Sequence, residues 1–302
     1  MRIFHGMRED LEILKGALDL HVHAGPDLFP RLLDAVEAAE AAKAAGLRGI
    51  VLKHHHIPTV DRAYFAGRAV PGVEVYGGVT LNYAVGGLNP FAVDAALKMG
   101  ARVIWMPTVD ARNHMKCFGE LGRYGPRLTY GRPRFYEEAE GISIIEGGEL
   151  SPRLISILDS IAEADAALAT SHLSAEESKM LVEEALRRGV KRIVVTHVDF
   201  STANLSIEDQ VWMAERGALL ELCYSCISPA WHCSTIDRSV EAIRRVGAEN
   251  YVLSSDLGQV HNPPPPEGLR IYIRLLLEHG VRAEDIRVMV KENPERLLGI
   301  GP

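Results

Sequence analysis

The sequence predicts an α/β fold: one (β/α)8 (TIM) barrel over residues 1–302, with a long insertion at 110–150 after the fourth strand and an extra C-terminal helix. Two observations predict it. Eight apolar stretches, ending near Leu20, Leu52, Val79, Trp105, Ala169, Val195, Leu222 and Leu253, close in small or polar residues, and nearly all lead into an amphipathic helical pattern. They also recur at intervals of about 25 to 34 residues, the length of a βαβ unit. Such alternation implies right-handed crossovers and a parallel sheet. Eight units without a domain break fit a closed barrel of ~250 residues. An open doubly wound sheet wants a Gly-rich phosphate loop after its first strand, and His21-Val22-His23-Ala24-Gly25-Pro26 is not one.

The helical elements follow in order. Pro30 to Ala45 carries Leu32, Leu33, Val36 and Ala39 at helical spacing and stops at Gly46. Asn89-Pro90 reads as an N-cap with proline at the first helical position, and Gly100 ends that helix. Ser151-Pro152 repeats the signal before Ile155, Leu158 and Ile161. Ser174 with Glu177 makes a capping box for a helix ending at Gly189. Ser206–Arg216, Thr235–Val246 and Gly268–His279 complete the series, with the proline run Pro263 to Pro266 stiffening the loop before the last. A final segment, Ala283 to Leu298, is expected to cover the outside of the barrel. Between Trp105 and Leu168 the strand interval roughly doubles. Asp110 to Glu149, rich in Gly, Arg, Tyr and Pro, is expected to be a loop acting as a lid, with Gly119, Gly122 and Gly125 permitting movement.

Composition narrows the function. With 47% hydrophobic and 24% charged residues the chain reads as a soluble globular protein. A net charge of -7 argues against a surface that tracks nucleic-acid phosphates. No apolar run approaches the ~20 residues of a membrane span, and Met1–Gly6 lacks the apolar core of a signal peptide. Four cysteines form no disulfide framework, so reduced thiols and a cytoplasmic setting are expected. The expected partner is a small-molecule substrate, with self-association left open.

The chemistry lies at the strand ends. His21-Val22-His23, Thr170-Ser171-His172, Val195-Thr196-His197 and Ser254-Ser255-Asp256 each close an apolar run. Residues i and i+2 share a strand face, so His21 and His23 are expected to face the barrel axis while Val22 packs outward. Asp19 falls on the same inward face by this alternation, one layer deeper, as an orienting group. Four imidazoles and one carboxylate at the C-terminal rim, where barrel active sites sit, form a candidate divalent-metal site.

These residues resemble the amidohydrolase superfamily of metal-dependent hydrolases. The resemblance is carried by Asp19-Leu20-His21-Val22-His23, His172, His197, Asp256 and the terminal Asn293-Pro294-Glu295-Arg296-Leu297-Leu298-Gly299, and it spans nearly the whole chain. It implies one or two divalent ions, usually zinc, activating a water for hydrolysis. It also implies that His21, His23 and Asp256 hold the more buried ion, and His172 and His197 a second. Members with two ions usually bridge them with a carbamylated Lys or a Glu on the fourth strand. Here that strand ends Ile104-Trp105-Met106-Pro107-Thr108 and offers neither. Lys53, at the tip of the second strand, is the nearest substitute: a carbamate bridge, an electrophile, or an anion-binding group.

Further candidates ring the mouth. His54, His55 and His56 open the loop after the second strand, and His54 and His55 are candidate substrate-binding residues. Arg112 and His114 follow the fourth strand closely enough to hang over the mouth. Arg31 and Arg123 are candidate clamps for a carboxylate or phosphate. Glu221 either faces the axis or makes a buried polar contact. Cys223-Tyr224-Ser225-Cys226 with His232-Cys233 reads either as ordinary buried thiols or as a structural zinc site.

The expected activity is hydrolysis of a small-molecule amide, ester or lactone, with Asp256 as general acid/base. Three readings stand beside it. One is a phosphoesterase of the polymerase-and-histidinol-phosphatase superfamily, which also begins with H-x-H but builds a seven-stranded distorted barrel. Decarboxylation on one metal is another. The last, from a different class, is a catalytically silent ligand-binding module.

Overall fold

The computed structural model describes residues 9–124 and 133–301; Met1–Gly6 and Gly125, singled out above, lie outside them. Eight parallel strands form the barrel: β1 (Leu18–His23), β2 (Gly49–Lys53), β3 (Glu74–Tyr76, resumed past Gly77 as Gly78–Thr80), β4 (Val103–Trp105), β5 (Ala167–Ala169), β6 (Arg192–Val195), β7 (Leu219–Cys223) and β8 (Tyr251–Ser254). The first half of β3 pairs with β2 and its second half with β4, so the break at Gly77 joins a three-stranded and a six-stranded run. A parallel bridge between Val22 and Leu257, with the His23 N–H donating to the Leu257 carbonyl at 2.8 Å, brings the last strand back to the first. Eight strands, in place of seven, set the architecture apart from the polymerase-and-histidinol-phosphatase type.

The strands carry two cores. Leu18, Leu20, Val51, Trp105, Val194, Leu219 and Val252 fill the barrel interior. Val22, Ile50, Leu52, Ile104, Ile193, Leu220 and Leu253 face the helices outside. The expected terminal helix sits differently from its prediction. Within Asn293–Leu298 the side chains of Leu297 and Leu298 join the interior cluster, so the chain end plugs the barrel in place of covering its outside. Asn293 fastens that plug by donating from Nδ2 to the carbonyl of Tyr251 at 2.6 Å. A short helix, Glu9–Leu14, buries Ile13 and Leu14 and went unread in the sequence.

Close approach at β3 explains its glycines. A Cβ on Gly78 would lie 2.0 Å from the Val103 carbonyl oxygen, which is backbone and cannot swing away. Gly78→Ala is therefore expected to destabilise the fold by about 3 kcal/mol, read as a lowered urea midpoint. An unchanged midpoint would mean that the strands part freely there.

Two local departures from pattern matter for function. In β1 the register with β2 advances three residues, Asp19 to Val22, while β2 advances two, Ile50 to Leu52. This β-bulge breaks strict alternation. Leu18 and Leu20 point inward, the bulge follows, and His21 and His23 point inward as well. Asp19, expected on the inward face, instead turns towards β8, where its Oδ1 accepts from the N–H groups of Ser255 (2.9 Å) and His21 (3.2 Å).

The second departure is the helix predicted from Pro30, which begins at Ala35 behind an Asp34–Glu37 capping box. Residues 26–33 form a loop over the mouth. The long insertion is not structureless: it holds the helix Arg112–Phe118, a 3-10 turn Arg134–Glu138 and a hairpin pairing Ile145–Glu146 with Glu149–Leu150. Gly122 lies against Tyr136, whose ring would meet a Cβ at 2.4 Å, so this glycine serves packing.

Candidate metal centre

The strand tips bring their polar groups to one place. Nε2 of His21 and Nε2 of His23 each lie 3.1 Å from Oδ1 of Asp256. Ligand atoms held about 2.1 Å from one tetrahedral ion are roughly 3.4 Å apart, so the trio is close to ligand spacing. Two imidazole nitrogens and one carboxylate oxygen suit a borderline divalent cation. Ser225 donates from Oγ to the other oxygen of Asp256 at 2.7 Å. Burial alone would raise the Asp256 pKa, but His21, His23 and His197 outweigh it and hold the carboxyl well below the usual range. The backbone is left-handed at Ser171 (φ 57), His197 (φ 29) and Asp256 (φ 50), all at the rim, where strain marks functional positions.

Hydrogen bonds assign the ring protons. Glu221 Oε2 lies 3.3 Å from His21 Nδ1. Burial favours the neutral acid, yet the fields of His21, His197 and Lys53 and the bond from His21 bring Glu221 to about 2, so it accepts. His21 Nδ1 therefore carries a proton, and its Nε2 faces Asp256 Oδ1 and Lys53 Nζ, each 3.1 Å away. Glu221 thus fixes the orientation of the His21 ring. This is the carboxylate–histidine pairing that orients metal ligands. His114 works the same way on His172. Its Nε2 donates to the Arg123 carbonyl at 2.6 Å, so its Nδ1 accepts from His172 Nδ1 at 2.9 Å. His172 is thereby left with a lone pair on Nε2.

A third chain of bonds runs through His55. Thr108 N–H donates to Asn82 Oδ1 (2.8 Å), and Asn82 Nδ2 donates to Thr108 Oγ1 (2.6 Å). The threonine hydroxyl then gives its own proton to His55 Nδ1 at 2.9 Å. His55 is kept as the tautomer with a proton on Nε2. His23 differs again: Arg31 Nη2 sits 3.3 Å from its Nδ1, so the neutral ring carries its proton on Nε2 and gives it to Asp256. To hold an ion at that nitrogen, His23 would take its other neutral tautomer, with the proton moved to Nδ1.

Lys53 Nζ is buried 3.1 Å from His21 Nε2 and 5.6 Å over the Trp105 ring. Burial lowers its pKa, opposed by Asp256, Glu221 and Cys223. Trp105, at the end of β4, belongs to the interior cluster and lies under the Lys53 ammonium. The rings of His172 and His197 are 5.1 Å apart, but neither joins a trio of His, Cys, Asp or Glu ligand atoms among the described residues.

The remaining candidates are dispersed. His55, Lys53, His172 and His197 line one cavity with the trio, together with Arg31, Phe29, Tyr124, Phe200 and Trp231. His114 is buried behind His172 and does not reach this wall. Arg112 is half-exposed beside Glu140, 3.9 Å away. His54 sits behind Asp27: its Nδ1 accepts from the N–H groups of His56 and Ile57, so its Nε2 donates, to Pro26 O at 3.1 Å. That tautomer and the Arg31 contact of Asp27 make the Asp27–His54–His56 cluster a hydrogen-bonded hub, not an ion site. Arg123 pairs with Glu120 at 3.3 Å. The thiols also scatter: Cys223 faces Glu221 and His21, Cys233 bonds the Cys226 carbonyl, and His232 is exposed. No Cys226–His232–Cys233 trio gathers among the described residues.

Sequence reasoning passed over Ser225, Asn82, Thr108 and Tyr124. Ser225 stands two residues past the tip of β7, a rim position that alone hinted at a role. The others depend on contacts across the fold, with no local signal.

In fold, the barrel is similar to solved structures of amidohydrolases and related enzymes. Solved structures of similar fold include an amidohydrolase from Pseudomonas aeruginosa (13% identity, covering 96% of this chain and 98% of that one, TM-score 0.63). Another is the probable dipeptidase PvdM from Pseudomonas aeruginosa (14% identity, 97% and 98% covered, TM-score 0.62). A third is 2,6-dihydroxybenzoate decarboxylase, solved with 2,6-dihydroxybenzoate (11% identity, 95% and 100% covered, TM-score 0.56). Within that fold the chain belongs to a family of unknown function (DUF6282), whose model matches residues 16–221. No curated protein matches it in sequence.

Proposed function

We propose that the protein is a metal-dependent hydrolase acting on a small-molecule amide, ester or lactone. The observation that carries this reading is the meeting of His21 Nε2, His23 Nε2 and Asp256 Oδ1 at 3.1 Å, with Glu221 behind His21. The donor set fits a divalent ion, zinc first, held by these three. When bound, the ion supplies Lewis acidity that lowers the pKa of water and polarises a carbonyl. The chain does the rest. Asp256, kept anionic by its imidazoles, accepts the proton of the attacking water and returns it to the leaving group. Ser225 steadies the oxygen on which that proton rests. Aromatic rings line the cavity and limit the water around the reacting group.

Lys53 belongs to this machinery. Burial favours its neutral amine, which adds to CO2, forming an N–C bond and releasing one proton. The carbamate would supply the carboxylate missing from β4 and allow a second ion at His172 and His197. Native mass spectrometry is expected to find the intact protein heavier by one CO2, and a Lys53→Arg variant not.

The similarity to a decarboxylase supports a second reading, C–C cleavage on a single ion, which the absence of a β4 bridge favours. Four free thiols support a reducing, cytoplasmic setting. Among the described residues no helix is long and apolar enough to cross a membrane. A panel of esters, lactones and amides, assayed before chelation, after it and after zinc is restored, tests the proposal. Turnover lost on chelation and recovered with zinc is expected. Metal-independent turnover, or CO2 release from carboxylates alone, would overturn it.

A further inference from the structure

One wall of the cavity is built around Arg31, which touches the centre through His23. Arg31 comes from the loop that replaces the first turns of the predicted helix, and its side chain is 3% exposed. Asp27, with 0% side-chain exposure, accepts at Oδ2 from its Nε (2.7 Å) and Nη2 (2.6 Å), which pins the guanidinium plane, and Nη2 also lies 3.3 Å from His23 Nδ1. No hydrogen bond among the described residues engages Nη1. The guanidinium also lies 5.6 Å over the Phe29 ring. His55 stands on the same side, stacked 4.9 Å from His23, with the Asn82–Thr108 chain holding its proton on Nε2. That N–H has only a 3.5 Å contact with the Tyr124 hydroxyl. Two oriented donors, one charged and one neutral, thus flank the centre with capacity to spare.

Four aromatic rings form the apolar part of the wall, beside Gln259 and His261. Tyr124 and Trp231 meet edge to face at 4.9 Å, Phe29 lies 5.8 Å from Tyr124, and Phe200 lies 6.0 Å from Trp231. The cavity-lining carboxylate among the described residues is Asp256, already committed to two histidines and Ser225. A buried guanidinium with a free Nη1 favours an anion, and its pinned plane fixes the direction from which a carboxylate oxygen is met. Aromatic faces favour a planar body.

We propose that the site takes a small planar acid, its carboxylate read by Arg31 and the His55 Nε2–H and its flat body held among Phe29, Tyr124, Phe200 and Trp231. This deepens the hydrolase reading and rests on it only for placing the reacting group beside His21, His23 and Asp256.

Calorimetric titration of the purified protein, with its metal content measured, tests the assignment using benzoate, benzamide and acetate as probes. Benzoate is expected to bind at least tenfold more tightly than benzamide or acetate. Arg31→Gln should weaken benzoate at least tenfold and leave benzamide within about threefold. Trp231→Leu should narrow the preference for benzoate over acetate, which keeps the proposal testable if Arg31→Gln does not fold. Benzamide or acetate binding as tightly as benzoate would overturn it. So would full benzoate affinity in Arg31→Gln that vanishes on chelation, since the carboxylate would then sit on the ion. That last result would leave the hydrolase reading intact, whereas a metal-free protein that still selects benzoate would separate the two the other way.

Discussion

Asp256→Asn is expected to lower kcat by 10²- to 10⁴-fold, the range that general acid–base catalysis contributes. The amide keeps the shape of the side chain and an oxygen to face His21 and His23. It loses the capacity to accept a proton, and its bond with Ser225 must reverse or break. Metal content should fall little, because two imidazoles remain and an amide oxygen replaces the carboxylate oxygen. KM should change much less than kcat, since the substrate is held elsewhere on the wall. Steady-state kinetics together with elemental analysis of the same preparation checks both halves. Full turnover with metal retained would remove Asp256 from the proton-transfer role.

The second large effect is expected from His21→Ala combined with His23→Ala. Two of three donors disappear, leaving one carboxylate at the deepest position, and bound metal is expected to drop below about a tenth of an equivalent. Activity should fall to background. The variant should also melt at a lower temperature, because the wild type gains stability from any ion that binds only its folded state. Glu221 would lose the His21 Nδ1–H, leaving a buried carboxylate short of a partner, a further cost of about 1–3 kcal/mol. A double variant with full metal content and activity would move the centre elsewhere.

Much of this site was legible in the sequence because parallel barrels repeat one rule, with polar residues placed where each apolar run ends. That rule found His21, His23, His172, His197 and Asp256 without any contact information. Period-two alternation then failed at one place, Asp19, because an inserted residue in β1 changes which side chains share a face, and no local residue type announces a bulge. The loop carrying Arg31 was hidden by Leu32 and Leu33, whose spacing suits a helix that the Asp34 cap actually starts later. His114 and His172 are 58 positions apart, so an orienting role could not be distinguished from a substrate-facing one until the fold brought the rings together. Leu297 and Leu298 read as one apolar stripe among many, since a plug and a covering helix present the same pattern.

X-ray absorption at the metal edge of the purified wild-type protein, paired with elemental analysis, tests the centre most directly. At least about one equivalent of a divalent ion is expected, with nearest neighbours of nitrogen and oxygen at about 2.0–2.1 Å. Protein grown with ample zinc that carries less than about a tenth of an equivalent would contradict it, as would a first shell dominated by sulfur at about 2.3 Å.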